Sequence, residues 1–133
     1  MAKILVVDDE PDIRSLVVRR LTNAGHRTRE AGDAASACAL VESFGLPDVA
    51  VLDVSLPDTN GMELLHLLRT SPGGNDMAAI FLTGRMQPID IETGRALGAR
   101  YLTKPFVANA LLTAIDDALA DLAARAAPVV AEW

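Results

Sequence analysis

The chain has 133 residues, a net charge of −6 and an isoelectric point near 4.7, with 50% hydrophobic and 23% charged residues. That length predicts one domain, and that composition a folded one rather than a disordered chain. The acidic balance excludes the electrostatic footprint of an autonomous nucleic-acid binder, and the single cysteine, Cys38, excludes a disulfide framework or a cysteine-based zinc site. No apolar run reaches the ~18 residues of a membrane span, and the opening MAKILVVDDE turns acidic too soon for a signal peptide. A cytoplasmic domain without membrane contact is the expectation.

Residues 4–7 (ILVV) form a continuous apolar, largely β-branched run, the pattern of a strand buried on both faces. Pro11 suits the first turn of a helix, on which Ile13, Leu16, Val17 and Leu21 form an apolar stripe and Gly25 is the stop. Residues 27–31 read as a more polar second strand. Asp33 is a plausible N-cap for a helix carrying Ala37, Cys38, Val41 and Phe44, closed by Gly45. Residues 49–52 are the third strand, ending on Asp53.

The stretch 55–61 (SLPDTNG) is dense in turn residues and leads to a helix with Leu64, Leu65 and Leu68 on one face. A loop follows at 71–76, then a fourth strand at 78–82 ending on Thr83-Gly84. A helix is predicted over roughly 90–97, stopping at Gly98, and a short fifth strand over 100–102. The last helix starts near Val107, with Leu111, Ile115, Leu119 and Leu122 inward and Asp116, Asp117 and Asp121 outward. Residues 1–126 are the predicted domain and 127–133 a C-terminal tail.

Five strands alternating with five helices predict an α/β, doubly wound, five-stranded parallel sheet with helices on both faces. In such sheets ligands and chemistry gather at the carboxyl ends of the strands. There the chain places Asp8 and Asp9, then Asp53, Thr83 and, after the fifth strand, Lys104-Pro105. Taken singly, each has an ordinary structural reading: acidic residues at a helix start, turn chemistry at Asp53, a structural threonine, a solvated loop lysine. One site accounts for all of them at once. Crowded carboxylates repel and call for a hard cation, and Mg2+ with oxygen ligands meets that need. A lysine offers a point contact to a phosphoryl oxygen, and an aspartate can itself form an acyl phosphate. The chemistry that fits is phosphoryl transfer onto an aspartate.

The segments ILVVDDEPDIR, DVAVLDVSLPDTNGMELL, AAIFLTG and GARYLTKPF, in this order over about residues 3–122, resemble the receiver domain of bacterial response regulators. The 44-residue step from Asp9 to Asp53 and the 30-residue step from Asp53 to Thr83 agree with that family. The resemblance implies a CheY-like, flavodoxin-like (βα)5 fold and a phosphoacceptor, Asp53, served by a histidine kinase or histidine phosphotransfer protein. It implies Mg2+ held by Asp8, Asp9, Asp53 and the backbone carbonyl of Ser55. Lys104 would hold the phosphoryl group, Thr83 and Tyr101 would form the switch, and the Lys104–Pro105 peptide would be cis. The implied output face comprises the fourth predicted helix, the fifth strand and the last helix. It would be read by a downstream protein target without direct nucleic-acid contact, the protein itself being a monomer or a phosphorylation-dependent dimer. There are departures: one turn is shorter by one residue, so that Arg100 alone separates Gly98-Ala99 from Tyr101, and the last helix lacks the charged pattern of regulators that dimerise through this face and carry a winged-helix domain.

The expected activity is therefore that of a signalling phosphoacceptor, which catalyses only its own phosphorylation and dephosphorylation. A close alternative is a receiver belonging to a longer regulator or hybrid kinase. A distant one is an aspartate-nucleophile phosphohydrolase, against which stands Ser55, where that chemistry usually places a second acid. A non-phosphorylated interaction module conflicts with the acidic triad, and a flavodoxin-like ligand binder with the lack of a phosphate-cradling loop after the first strand. His26 and His66 are expected at ordinary surface or boundary positions and Cys38 in the core. If the chain is complete, its output must be a surface that another protein reads.

Overall fold

The computed structural model describes residues 2–71, 77–84 and 99–126. Its elements in chain order are β1 (Lys3–Val7), α1 (Pro11–Asn23), β2 (Arg27–Ala31), α2 (Ala34–Phe44), β3 (Val49–Asp53), α3 (Gly61–Arg69), β4 (Ala78–Thr83), β5 (Arg100–Thr103) and α4 (Ala108–Ala126). The helix predicted over 90–97 and the tail at 127–133 lie outside the described residues.

The five strands form one parallel sheet in the order β2-β1-β3-β4-β5. All residues of β3 and β4 are buried, as their unbroken apolar runs require of central strands covered on both faces. Alternation along each strand divides the core in two. Ile4, Val6, Val49, Val51, Ile80 and Leu82 meet Val17 and Leu21 of α1 and Leu111 and Ile115 of α4. Leu5, Val7, Ala50, Leu52, Ala79 and Phe81 meet Ala37 of α2 and Leu64, Leu65 and Leu68 of α3. The chain reverses after β1 and β3 on opposite sides of the sheet, so the carboxyl ends of these adjacent strands open onto one crevice.

Local signals set the helix ends. Pro11 opens α1. The Asp33 side chain accepts from the Ser36 amide at 2.7 Å, and Gly25 and Gly45 adopt φ of +96° and +86°, a region L-side chains avoid. Two apolar assignments are corrected. Leu16 is 38% and Phe44 57% exposed, because the stripe of α1 is narrower than its period suggested and α2 ends as it clears the sheet. The Phe44 ring instead carries the Arg29 guanidinium, 3.4 Å from its centroid. Cys38 is partly buried against the α2–α3 side of the core. His66 is exposed, and His26 accepts the Ala2 amide on Nδ1 at 3.3 Å.

Candidate phosphoacceptor site

Asp8 directly follows β1 and Asp53 ends β3, the strand beside it, so the pairing of β1 with β3 brings the two carboxylates together. Both are buried, at 0% and 5% exposure. Asp8 is held in place on three sides. Its Oδ1 accepts from the Glu10 amide at 2.9 Å, its own amide donates to Ala31 at 3.1 Å, and its carbonyl accepts from Arg14 Nη1 at 2.8 Å. Asp53 Oδ1 accepts from the Ser55 amide at 3.0 Å, leaving Oδ2 free to face Lys104.

Lys104 reaches the crevice from the turn after β5. Its amide donates to the Thr83 carbonyl at 2.7 Å, which ties that turn to the end of β4, and the Lys104–Pro105 peptide is cis. Its Nζ lies 2.9 Å from Asp8 Oδ2, 2.9 Å from Glu10 Oε1 and 3.1 Å from Asp53 Oδ2. Burial alone would depress the ammonium, but the bonds to Glu10, Asp8 and Asp53 outweigh it and hold Lys104 well above its ordinary range. For Asp53 burial leads in the other direction. Together with the neighbouring Asp8 charge it pushes the carboxyl up, against the opposing pull of the Ser55 amide and Lys104.

Carboxylate oxygens of Asp8, Asp9, Glu10 and Asp53 all lie within 4.8 Å of one another. A set of hard anionic oxygens in that span suits a magnesium-sized cation. Asp9 and Glu10 are exposed, whereas Asp8 and Asp53 form the buried wall. Thr83 is buried at the end of β4, in register with Thr103. Tyr101 of β5 is partly buried, paired with Phe81 in the sheet, with ring centroids 5.4 Å apart. The Ser55 side chain is exposed.

Two contributors escape a reading of the sequence. Glu10 follows the two aspartates in DDE, and adjacency was its only signal; the structure puts it on Lys104, 94 residues away. Arg14, to which no local pattern draws attention, braces the Asp8 carbonyl while its Nε pairs with Glu30 at 3.0 Å.

The matching family model, response regulator receiver domain, covers residues 4–116. The chain belongs to that family. Its receiver fold is similar to a CheY-like receiver domain protein from Methanospirillum hungatei, with a TM-score of 0.85 and 28% identity over 94% of this chain and 98% of that one. The receiver is 33% identical to Protein PilH of Pseudomonas aeruginosa over 121 residues, 90% of this chain and 99% of that protein. It is 42% identical to regulatory protein VanRc of Enterococcus gallinarum over 105 residues, 78% of this chain but 44% of that protein. The chain thus spans less than half the length of several curated relatives it matches. Its role is that of a receiver in two-component signalling, a phosphoryl-accepting signalling domain. Receivers of this family typically use Mg2+, and they interact with histidine kinases and downstream targets. No helix among the described residues is long and apolar enough to cross a membrane.

Proposed function

We propose that Asp53 is the phosphoacceptor of this receiver, taking its phosphoryl group from a histidine kinase or a histidine phosphotransfer protein. The observation that supports this is the convergence of one ammonium, Lys104, on two buried carboxylates, Asp8 and Asp53, at the ends of adjacent strands. An Asp53 oxygen attacks phosphorus, and the P–N bond to the donor imidazole breaks. Its electron pair stays on the nitrogen, which takes a proton from solvent, and Asp53 becomes an acyl phosphate. The Ser55 amide keeps the carboxylate oriented, and Lys104 offsets charge on the transferring oxygens.

Asp8, Asp9 and Asp53, with the Ser55 carbonyl, are the residues that would hold Mg2+, and their hard, closely spaced oxygens fit it. When bound, the ion supplies charge neutralisation for the phosphoryl oxygens and the crowded carboxylates. Thr83 then follows the new acceptor oxygens and Tyr101 shifts beside Phe81, a two-state element that a local charge change can bias. The face formed by β5, α4 and the predicted helix at 90–97 carries the output to a protein target. The same reading takes 1–126 as the receiver and 127–133 as a tail, in a cytoplasmic protein that is a monomer or dimerises on phosphorylation.

Incubation with acetyl phosphate, with and without Mg2+, tests the assignment by intact mass. We expect a single Mg2+-dependent, base-labile phosphoryl adduct that is absent from Asp53→Ala. An adduct of equal yield in that variant would overturn it, and steady turnover of assorted phosphate esters would indicate a hydrolase instead.

A further inference from the structure

A cleft of about 640 Å³ lies at the end of the sheet remote from Asp53, between the starts of β1 and β2 and the C-terminal half of α2. Its volume falls within the roughly 300–1,000 Å³ usual for small-molecule sites. Register explains the lining. Lys3 pairs with Arg27 and Leu5 with Arg29, so these four side chains share the sheet face that α2 covers. Leu5 and Leu40 give an apolar floor, and Lys3, Arg27 and Arg29 a cationic rim.

Three features single this rim out. The chain carries a net charge of −6, yet none of the three cations makes an ion pair among the described residues. The one carboxylate bonded to this edge, Asp48, has its Oδ2 on the Lys3 main-chain amide at 2.9 Å. Finally, the Arg29 guanidinium carbon sits over Phe44, 3.4 Å from the ring centroid, while Phe44 stays 57% exposed.

We propose that this cleft binds a nucleoside phosphate. A flat base stacks against the Arg29–Phe44 pair, as bases do on guanidinium and aromatic planes. The apolar floor takes the remaining ring surface, and Arg27 and Lys3 receive the phosphates as charge-assisted donors. The unpaired arginines on an edge strand repel a second copy of the same strand, and the acidic chain as a whole repels a polynucleotide. A compact anion with a flat body pairs with no edge strand, and it touches the cationic rim without running along the acidic surface beyond it. The site is independent of the phosphoacceptor, Asp53, which ends β3 at the opposite end of the same sheet.

The test uses the full chain in EDTA at low salt, titrated with ATP, GTP, CTP, UTP and inorganic triphosphate while amide resonances are followed by NMR. At least one nucleotide is expected to shift the Arg27, Arg29 and Phe44 amides saturably, and about tenfold more tightly than inorganic triphosphate does. Arg29→Lys, which keeps the charge at an exposed position but loses the planar stack, is expected to weaken it about tenfold. A melting curve on that variant establishes that it is folded. No saturable shift with any of the four, equal affinity for inorganic triphosphate, shifts centred on Lys104, or an Arg29→Lys variant that binds like the parent would each overturn the proposal.

Discussion

The α-carbon of Gly61 packs against the backbone carbonyl of Asp53 so closely that a Cβ there would lie 2.3 Å from that oxygen. The Gly61 amide also donates to Val54 at 2.8 Å. The first residue of α3 is therefore seated on the strand end that carries the proposed phosphoacceptor. Gly61→Ala must move either α3 or the end of β3. We expect it to destabilise the fold by about 1–3 kcal/mol through overpacking and to slow phosphorylation. Urea unfolding checks the first effect, and an unchanged midpoint would count against the contact.

Lys104 holds Asp8 and Asp53 together, so replacing it with methionine leaves two buried carboxylates facing each other. Lys104→Met is expected to destabilise the protein by up to about 3 kcal/mol and to push the Asp53 carboxyl further up. A carboxyl raised above its unfolded value contributes stability at low pH that is lost as pH rises through the folded value. The gap between parent and variant in urea midpoint should thus be wider near about pH 8 than near about pH 5. A gap that is constant or reversed would speak against the pairing.

Asp58, in the β3–α3 loop, accepts from the Ala34 and Ala35 amides at 3.0 Å each, while Asp33 accepts from Ser36. The first three amides of α2 are thereby satisfied by two carboxylates, one of them from a distant loop. Those two amides hold the Asp58 carboxyl below its ordinary value of 3.8. Its folded value lies under its unfolded one, so its stabilisation is complete above 3.8 and fades as pH falls through the folded value. Thermal melts of Asp58→Ala against the parent should show a difference that is level at neutral pH and shrinks in strong acid.

Asp33→Ala removes the neighbouring cap and should cost about 1 kcal/mol. Because both acids serve one helix end, the double variant should depart from additivity in a double-mutant cycle. Strict additivity would mean the two caps act independently.

Mg2+ should raise the melting temperature of the parent, because a ligand of the native state alone stabilises it by about 2.7 kcal/mol at a hundredfold excess over Kd. Asp9 is exposed, so Asp9→Asn leaves the core intact and should remove most of this shift. Calorimetry with and without the ion checks it, and an undiminished shift in the variant would exclude Asp9 as a ligand.

Much of the architecture is legible in local pattern. The unbroken apolar runs of β3 and β4, Pro11 at the start of α1, the Asp33 cap and the Gly45 turn each act over a few residues, and the elements form where those signals stand. Asp8, Asp53, Thr83 and Lys104 stand out in the sequence because each sits at or just past the end of a strand. The polar β2 forms where residues 27–31 read as a strand, although an edge strand gives little periodic signal.

What the sequence by itself determined is the set of elements, their caps and the chemical types at their ends, since those depend on interactions between residues three or four apart. Only the tertiary structure decided that Glu10 reaches Lys104, that Asp58 caps a helix 24 residues upstream, and that Phe44 turns outward beneath Arg29. Such contacts depend on how closed loops bring remote segments together, with strand order and register choosing which side chains meet. No local period carries that choice.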